Sequence, residues 1–344
     1  MMTFRKLAAA SAGKLIRSYF TENTPAPTGD TAQVGIGHNG GPQLDPGGRL
    51  TAYYTRRDSR ASWRPDMPHS VAAALGIDPT RPPKDADLDR LFEAKRADTG
   101  EGWSDRKRKN SAYDLTVAPH KSVTLAAEFA ATPAEAALIW NAIDRANDAT
   151  MRYVAREIGW ARKGAGGEEG AERGAVGWVS FRHHNARPTM QVQDGPSGTT
   201  YLADLPVPGD PHAHIHNGFF NLVVTDDGRI GSLDTKRLHS RVHEFGAYFQ
   251  AQLADELRRL GIRTAYDAGE EAVMLPAIPQ AAVDAFSKGR RQTVQNAKRF
   301  AKEQGLDWNG LSAERKFGML SSAAVVERKS KQDGRTDREI CGIM

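Results

Sequence analysis

The sequence predicts an α+β fold, a two-layer sandwich in which helices cover one face of a central, mainly antiparallel sheet. Two segments, Gly177–His184 and His212–Thr225, carry the β-branched and aromatic residues of strands. A long segment after Thr132 places apolar residues at helical spacing instead. Strands and helices follow one another in mixed order, and 39% hydrophobic residues suffice for a sizeable core.

Taken in order, Met1–Phe20 reads as a short amphipathic helix ending near Tyr19. Lys14 and Arg17 interrupt its small-residue stretch, so it is not an export signal and a cytoplasmic location is expected. Thr21–Arg49 holds seven Gly and four Pro in 29 residues, shows no period, and reads as a flexible surface segment. Its Gly35-x-Gly37-x-x-Gly40 spacing imitates a dinucleotide fingerprint, but Pro42 and Pro46 follow where a helix would have to begin. Tyr113–Leu125 is apolar and β-branched and reads as a strand running into a loop. Thr132-Pro133-x-Glu135 opens a helix: Thr132 caps, Pro133 suits the first helical position, and Glu135 reaches back. Ala136, Ile139, Trp140, Ile143, Ala146 and Val154 form its packing stripe.

Lys163–Gly174 is a Gly/Glu-rich loop, and Pro188–Gly209 a second polar stretch. Asp226-Asp227-Gly228 is a turn signal. Leu238–Leu260 reads as a long helix ended by Gly261, Val273–Pro276 as a short strand, and Ala281–Gln304 as a basic helix. The expected organisation is an N-terminal segment 1–20, a flexible segment 21–49, a folded core 50–330 and a tail 331–344.

Charge and cysteine usage narrow the function. Lys and Arg number 47 against 42 acidic residues, a net charge of +5 that suits an anionic partner. Cys341 is the single cysteine, which excludes an intramolecular disulfide or a cysteine-based zinc site. No apolar run approaches the length of a membrane span, so no membrane insertion is expected.

Of ten histidines, five fall between residues 183 and 216. On a strand, His212, His214 and His216 project from one face. Imidazoles on one face lie close enough to share a divalent cation, and a third ligand from the neighbouring strand, His183 or His184, would complete a three-nitrogen site with open positions, as a catalytic cation needs. Near it there is no H-E-x-x-H, no G-x-S-x-G and no Walker A motif. Tyrosines are on offer instead: Tyr19, then Tyr53 and Tyr54. A phenolate can attack a phosphodiester and hold the product as an ester while a cation stabilises the charge on phosphate.

Four blocks in this order resemble the relaxase domain of the MobF-class conjugative relaxases, the TrwC/TraI family: Ser18-Tyr19-Phe20; Tyr53-Tyr54 with Trp63 and Ala74-Leu75-Gly76-Ile77; Asp114-Leu-Thr-Val with Lys121-Ser-Val; and Phe181-Arg-His183 with Asp210-Pro-His-Ala-His214-Ile-His216 and Asn221. The resemblance implies a relaxase-like palm of the HUH endonuclease superfamily. It implies a site- and strand-specific transesterase that nicks single-stranded DNA at a plasmid transfer origin, a hairpin site, and stays linked through a 5′-phosphotyrosyl bond. Tyr19 matches the first nucleophile, and Tyr53 and Tyr54 the second pair. Asp114 matches the acid that orients a metal-binding histidine or accepts the tyrosine proton. His183, His214 and His216 match the metal ligands, with His184 and His212 outside the set. Mg²⁺ or Mn²⁺ is the expected ion, and the three imidazoles also suit Zn²⁺. Other relaxosome proteins and a coupling protein are the implied partners. The basic residues Arg56, Arg57, Arg106, Lys107, Arg108, Lys121, Arg290 and Arg291 then read as a phosphate-tracking surface. A rolling-circle replication initiator with the same chemistry, and a DNA-binding remnant that no longer cuts, are the alternatives.

Overall fold

The computed structural model describes residues 2–8, 61–104, 108, 110–164, 167–186, 189–193, 200–204, 210–312, 315–316 and 319–320. They fall into two compact units, Met1–His184 with His212–Ile278 and Asn185–Pro211 with Pro279–Met344. The segment Thr21–Arg49 lies outside the described residues.

The first unit is organised around a seven-stranded sheet. Its strands are β1 (Met2–Ala8), β2 (Ala61–Trp63), β3 (Asn110–Val117), β4 (Trp160–Arg162), β5 (Ala171–Asn185), β8 (Pro211–Thr225) and β9 (Ile230–Gly231). The main path is β1-β3-β8-β5-β2, with β4 added beside β5 and β9 beside β8. The pairs β1–β3, β3–β8 and β2–β5 are antiparallel. Between β5 and β8, Gly174 backs onto Val224, Ser180 bonds Asn217 and His183 lies beside His214, so these two long strands also run in opposite directions.

The alternation of β8 divides its side chains between two cores. Ile215, Phe219 and Val223 enter the larger one, with Trp178 of β5 stacked on Phe219 at 5.0 Å. There they meet α4 (Pro133–Ile158) and α6 (Val242–Arg259) through Ile143, Val154, Phe249 and Leu253. Phe220 and Leu222 point the other way. They pack with Val179 and Phe181, with Trp63 and Trp103, and with α1 (His69–Leu75) and α2 (Asp85–Leu91). Helices therefore cover part of the second face as well as the first.

Local chemistry explains the long helix. Thr132 accepts from the Glu135 amide and Glu135 accepts from the Thr132 amide, both at 3.2 Å, with Pro133 at the start of α4. Gly261, with φ +74°, ends the following helical region as read from the sequence, although that region divides into α5 (Lys236–His239) and α6. Among the described residues no helix is long and apolar enough to cross a membrane.

Three expectations need correction. Residues 2–8 are not helical: they form the edge strand β1, paired residue by residue with β3. Met2 and Phe4 bury inward, Phe4 stacks on Tyr113 at 5.8 Å, and Gly246 of α6 leaves room for the strand. A Cβ at Gly246 would lie 3.2 Å from that of Met2. An available sheet edge outweighs weak local helix propensity. Second, the strand from Tyr113 stops at Val117, and Lys121–Glu128 is a helix, α3. His120 caps it by accepting from the Ser122 amide. The β-branched run Val123-Thr124 is turned helical because Val123 and Ala127 fill the larger core. Third, the polar stretch Pro188–Gly209 contains a hairpin, β6 (Thr189–Gln193) and β7 (Thr200–Asp204), in the second unit.

In the first unit β10 (Ala265–Asp267) and β11 (Ala272–Met274) form a further hairpin, one residue ahead of the expected strand. The basic helix of the second unit is broken into α7 (Gln280–Ala285) and α8 (Lys288–Glu303), and the Ser287 hydroxyl donates to the Val283 carbonyl at the break.

Candidate metal centre

His183 of β5 and His214 and His216 of β8 meet on one face of the sheet. Their ring centroids form a near-equilateral triangle: 4.9 Å from His183 to His214, 4.8 Å from His183 to His216, and 5.0 Å from His214 to His216. One nitrogen from each lies within 4.8 Å of the other two, and all three side chains are buried.

The pleat decides between the adjacent histidines of β5. His183 shares its face with Val179 and Phe181, and so meets the β8 histidines. His184 points to the opposite face. There its Nδ1–H donates to Glu128 at 2.7 Å and its ring lies 4.4 Å from Trp140. His212 does share the face, with its ring 4.9 Å from His214, but it extends the row of rings outside the three-nitrogen group.

Neighbouring oxygens set the tautomers. His214 Nδ1–H donates to the His212 carbonyl at 2.8 Å, which leaves its Nε2 lone pair for a ligand. His216 Nδ1 is 2.8 Å from the buried Asp114 carboxylate, which orients Nε2 in the same way. Thr116, directly opposite His216, places its hydroxyl 3.0 Å from the same Nδ1 and 3.3 Å from both Asp114 oxygens. Sequence reasoning missed Thr116, although its spacing of two from Asp114 on a strand signals a shared face. Burial, followed by the neighbouring imidazoles, holds His214 well below the usual imidazole range. Desolvation and then the Lys121 ammonium push His212 down to about 3. With Nδ1 of His214 and of His216 each engaged by an oxygen, their Nε2 lone pairs and the His183 ring make a nitrogen donor set that fits a divalent ion.

A second group, His120 with Asp267 and Glu270, also clusters. Its chemistry differs. The Ser122 amide donates to His120 Nδ1 at 3.1 Å, so the neutral ring carries its proton on Nε2, the nitrogen that faces the carboxylates. That nitrogen has no lone pair to give a metal.

The model of the TrwC relaxase family matches residues 14–341. The chain belongs to the TrwC relaxase family. Its fold is similar to that of a conjugative relaxase TrwC in complex with oriT DNA, in a copper-bound structure: 22% identity over 99% of this chain and 94% of that one, TM-score 0.64. A metal-bound TrwC–oriT complex matches at 20% identity over 96% and 98%, TM-score 0.59. TrwC complexed with a 27-mer DNA comprising the recognition hairpin and the cleavage site matches at 21% over 99% and 94%, TM-score 0.58. No curated protein matches.

Other expected site residues of this TrwC-family chain are distributed unevenly. Tyr19, Tyr53, Tyr54, Arg56, Arg57, Arg106 and Lys107 lie outside the described residues. Arg290 and Arg291 fall within α8, and their side chains are not among those described. Lys121 opens α3. Arg108 does not offer its charge to a surface ligand. Its Nη1 donates to Asn221 O at 2.5 Å, Ser232 Oγ at 2.8 Å and Gly231 O at 3.3 Å, and its guanidinium lies against Trp103. A guanidinium engaged with the carbonyls of Asn221 in β8 and Gly231 in β9 and with the Ser232 hydroxyl serves the fold.

Proposed function

We propose that this chain nicks one strand of transfer-origin DNA at a specific site and retains the 5′ end as a phosphotyrosyl ester, initiating conjugative transfer. The observation that carries the proposal is the convergence of three buried imidazoles, His183, His214 and His216, with Asp114 behind His216, in a chain of the TrwC relaxase family. A divalent cation held by these nitrogens supplies positive charge beside the scissile phosphate. Mg²⁺ and Mn²⁺ are the proposed physiological ions, and the nitrogen-only set also takes Zn²⁺ or Cu²⁺.

The residues divide the remaining work. Tyr19 Oη attacks phosphorus, the P–O3′ bond breaks, and the departing 3′ oxygen takes up a proton as the phenol gives up its own. Tyr53 or Tyr54 performs the second transesterification that ends transfer. Of the two roles open to Asp114, orienting His216 is favoured over accepting the phenol proton. Its side chain is only 2% exposed, and one oxygen already bonds the imidazole. Arg56, Arg57, Arg106, Lys107, Lys121, Arg290 and Arg291 are proposed to follow the phosphates of a hairpin-bearing single strand. Other relaxosome proteins and a coupling protein are the proposed partners, in the cytoplasm.

The test is incubation with single-stranded transfer-origin DNA, followed by sequencing of the peptide in the covalent adduct. The expected peptide contains Tyr19. Tyr19→Phe should abolish the first adduct and leave DNA binding within about twofold. Normal adduct formation by Tyr19→Phe, with loss in Tyr53→Phe or Tyr54→Phe, reverses the tyrosine roles.

A further inference from the structure

Opposite the histidine face, β8 carries a second polar cluster that the chemistry above does not use. Asn217, between His216 and Gly218, is completely buried in the sheet's other face. Its Oδ1 accepts from Ser180 Oγ of β5 at 2.7 Å and from Asn147 Nδ2 of α4 at 3.1 Å. Its Nδ2 donates to the Leu115 carbonyl of β3 at 3.0 Å and to Asn147 Oδ1 at 2.8 Å. One carboxamide thus fills both acceptor and both donor positions, and bridges three adjacent strands and a helix.

Each strand it bridges carries part of the metal centre. Leu115 follows Asp114 and stands opposite Asn217 in the β3–β8 register. Ser180 precedes His183 by three residues, and Asn217 follows His216. Apolar neighbours such as Phe219 and Val223 would tolerate a small slide of one strand past another, because dispersion has no direction. The amide does not: a slide that carries Ser180 or Leu115 away leaves polar atoms buried without partners. A slip of one residue would also turn every histidine of β8 to the wrong face.

We propose that Asn217 is a positioning residue of the metal centre: with Asn147 and Ser180 it sets the relative register of β3, β8 and β5, and so holds Asp114, His216 and His183 around one cation. The proposal rests on the metal-binding reading of the three histidines. The experiment is a Co²⁺ titration of the full chain, followed by visible absorption, at a temperature where circular dichroism shows each variant folded. Asn217→Leu should weaken Co²⁺ about tenfold or more, in the range seen when supporting groups around metal ligands are removed, and Ser180→Ala, which removes one of its four bonds, about fivefold, each with an altered absorption band. Ser180→Thr, which keeps the hydroxyl, should restore affinity. Val223→Ala opens the same core without touching the network, and should melt earlier yet bind Co²⁺ within twofold of wild type.

The proposal is overturned if Ser180→Ala binds Co²⁺ within twofold of wild type with an unchanged band. It is equally overturned if Val223→Ala loses as much affinity as Ser180→Ala. Should Asn217→Leu fail to fold, the Ser180→Ala and Ser180→Thr pair decides. Absence of Co²⁺ binding by the wild-type chain overturns the metal reading itself, and this proposal with it.

Discussion

Replacing Asp114 by Asn tests how much the carboxylate behind His216 contributes. The substitution keeps size and shape and removes one negative charge. In the wild-type chain Asp114 lies 2.8 Å from His216 Nδ1 and within 3.3 Å of the Thr116 hydroxyl, with almost no exposure. An amide oxygen can still accept from Nδ1–H, but as a neutral bond of roughly half the strength. The cost to folding should therefore be modest, about 1 kcal/mol. The cost to metal binding should be larger, because the carboxylate both fixes the tautomer and raises the basicity of Nε2. A tenfold to hundredfold loss is expected, about 1.4–2.7 kcal/mol. Isothermal titration with Mn²⁺ measures the affinity, and thermal melting without metal measures the folding cost. A Mn²⁺ affinity within twofold of wild type in Asp114→Asn would refute the orienting role.

The other expectations follow the same geometry. His214→Ala or His216→Ala should abolish metal-dependent cleavage, while His212→Ala should keep most of it, as measured by nicking of a labelled oligonucleotide; equal loss at His212 would shift the ligand set along the strand. Arg108→Met should cost about 1.5–3 kcal/mol in a denaturant melt, because it removes charge-assisted bonds to Asn221, Gly231 and Ser232. The salt dependence of its DNA binding should stay unchanged, and a shallower slope would return Arg108 to the phosphate surface. Burial, helped by Asp144, pushes Asp148 up to about 6 from a reference of 3.8. A raised carboxylate contributes stability that is full below about pH 4 and is lost as pH rises through about 6. Asp148→Asn should therefore gain about 1–3 kcal/mol at pH 7.5 and flatten the pH profile between those limits; a persistent step in its melting profile would contradict the assignment.

What the sequence by itself determined is whatever local rules decide. Thr132, Pro133 and Glu135 start α4 with contacts confined to one turn, so the capping box is legible from four letters. The period of two in His212-Ala-His-Ile-His216 places three rings on one face before any partner strand is known. The order of four blocks was enough to suggest the family that the chain belongs to.

Tertiary structure decided everything that depends on which strands are neighbours. The strand period cannot choose between His183 and His184, since either faces the β8 histidines until the pleat of β5 is set against β8; the sheet turns His183 toward them and His184 toward Glu128. Nor does the strand period tell His212 from its partners at 214 and 216. That depends on how far along β8 the ring from β5 arrives. Residues 2–8 carry no strong strand signal and become one only because β3 presents a free edge. The Asn217 network joins residues 37 and 70 positions apart in the chain, and no local pattern announces it. Arg108 looked like one more member of a basic run, yet backbone carbonyls of β8 and β9 draw its guanidinium inward. In each case a long-range backbone pairing or a buried polar group outweighs local preference, because an unpaired group inside the core costs more than a residue's intrinsic propensity can return.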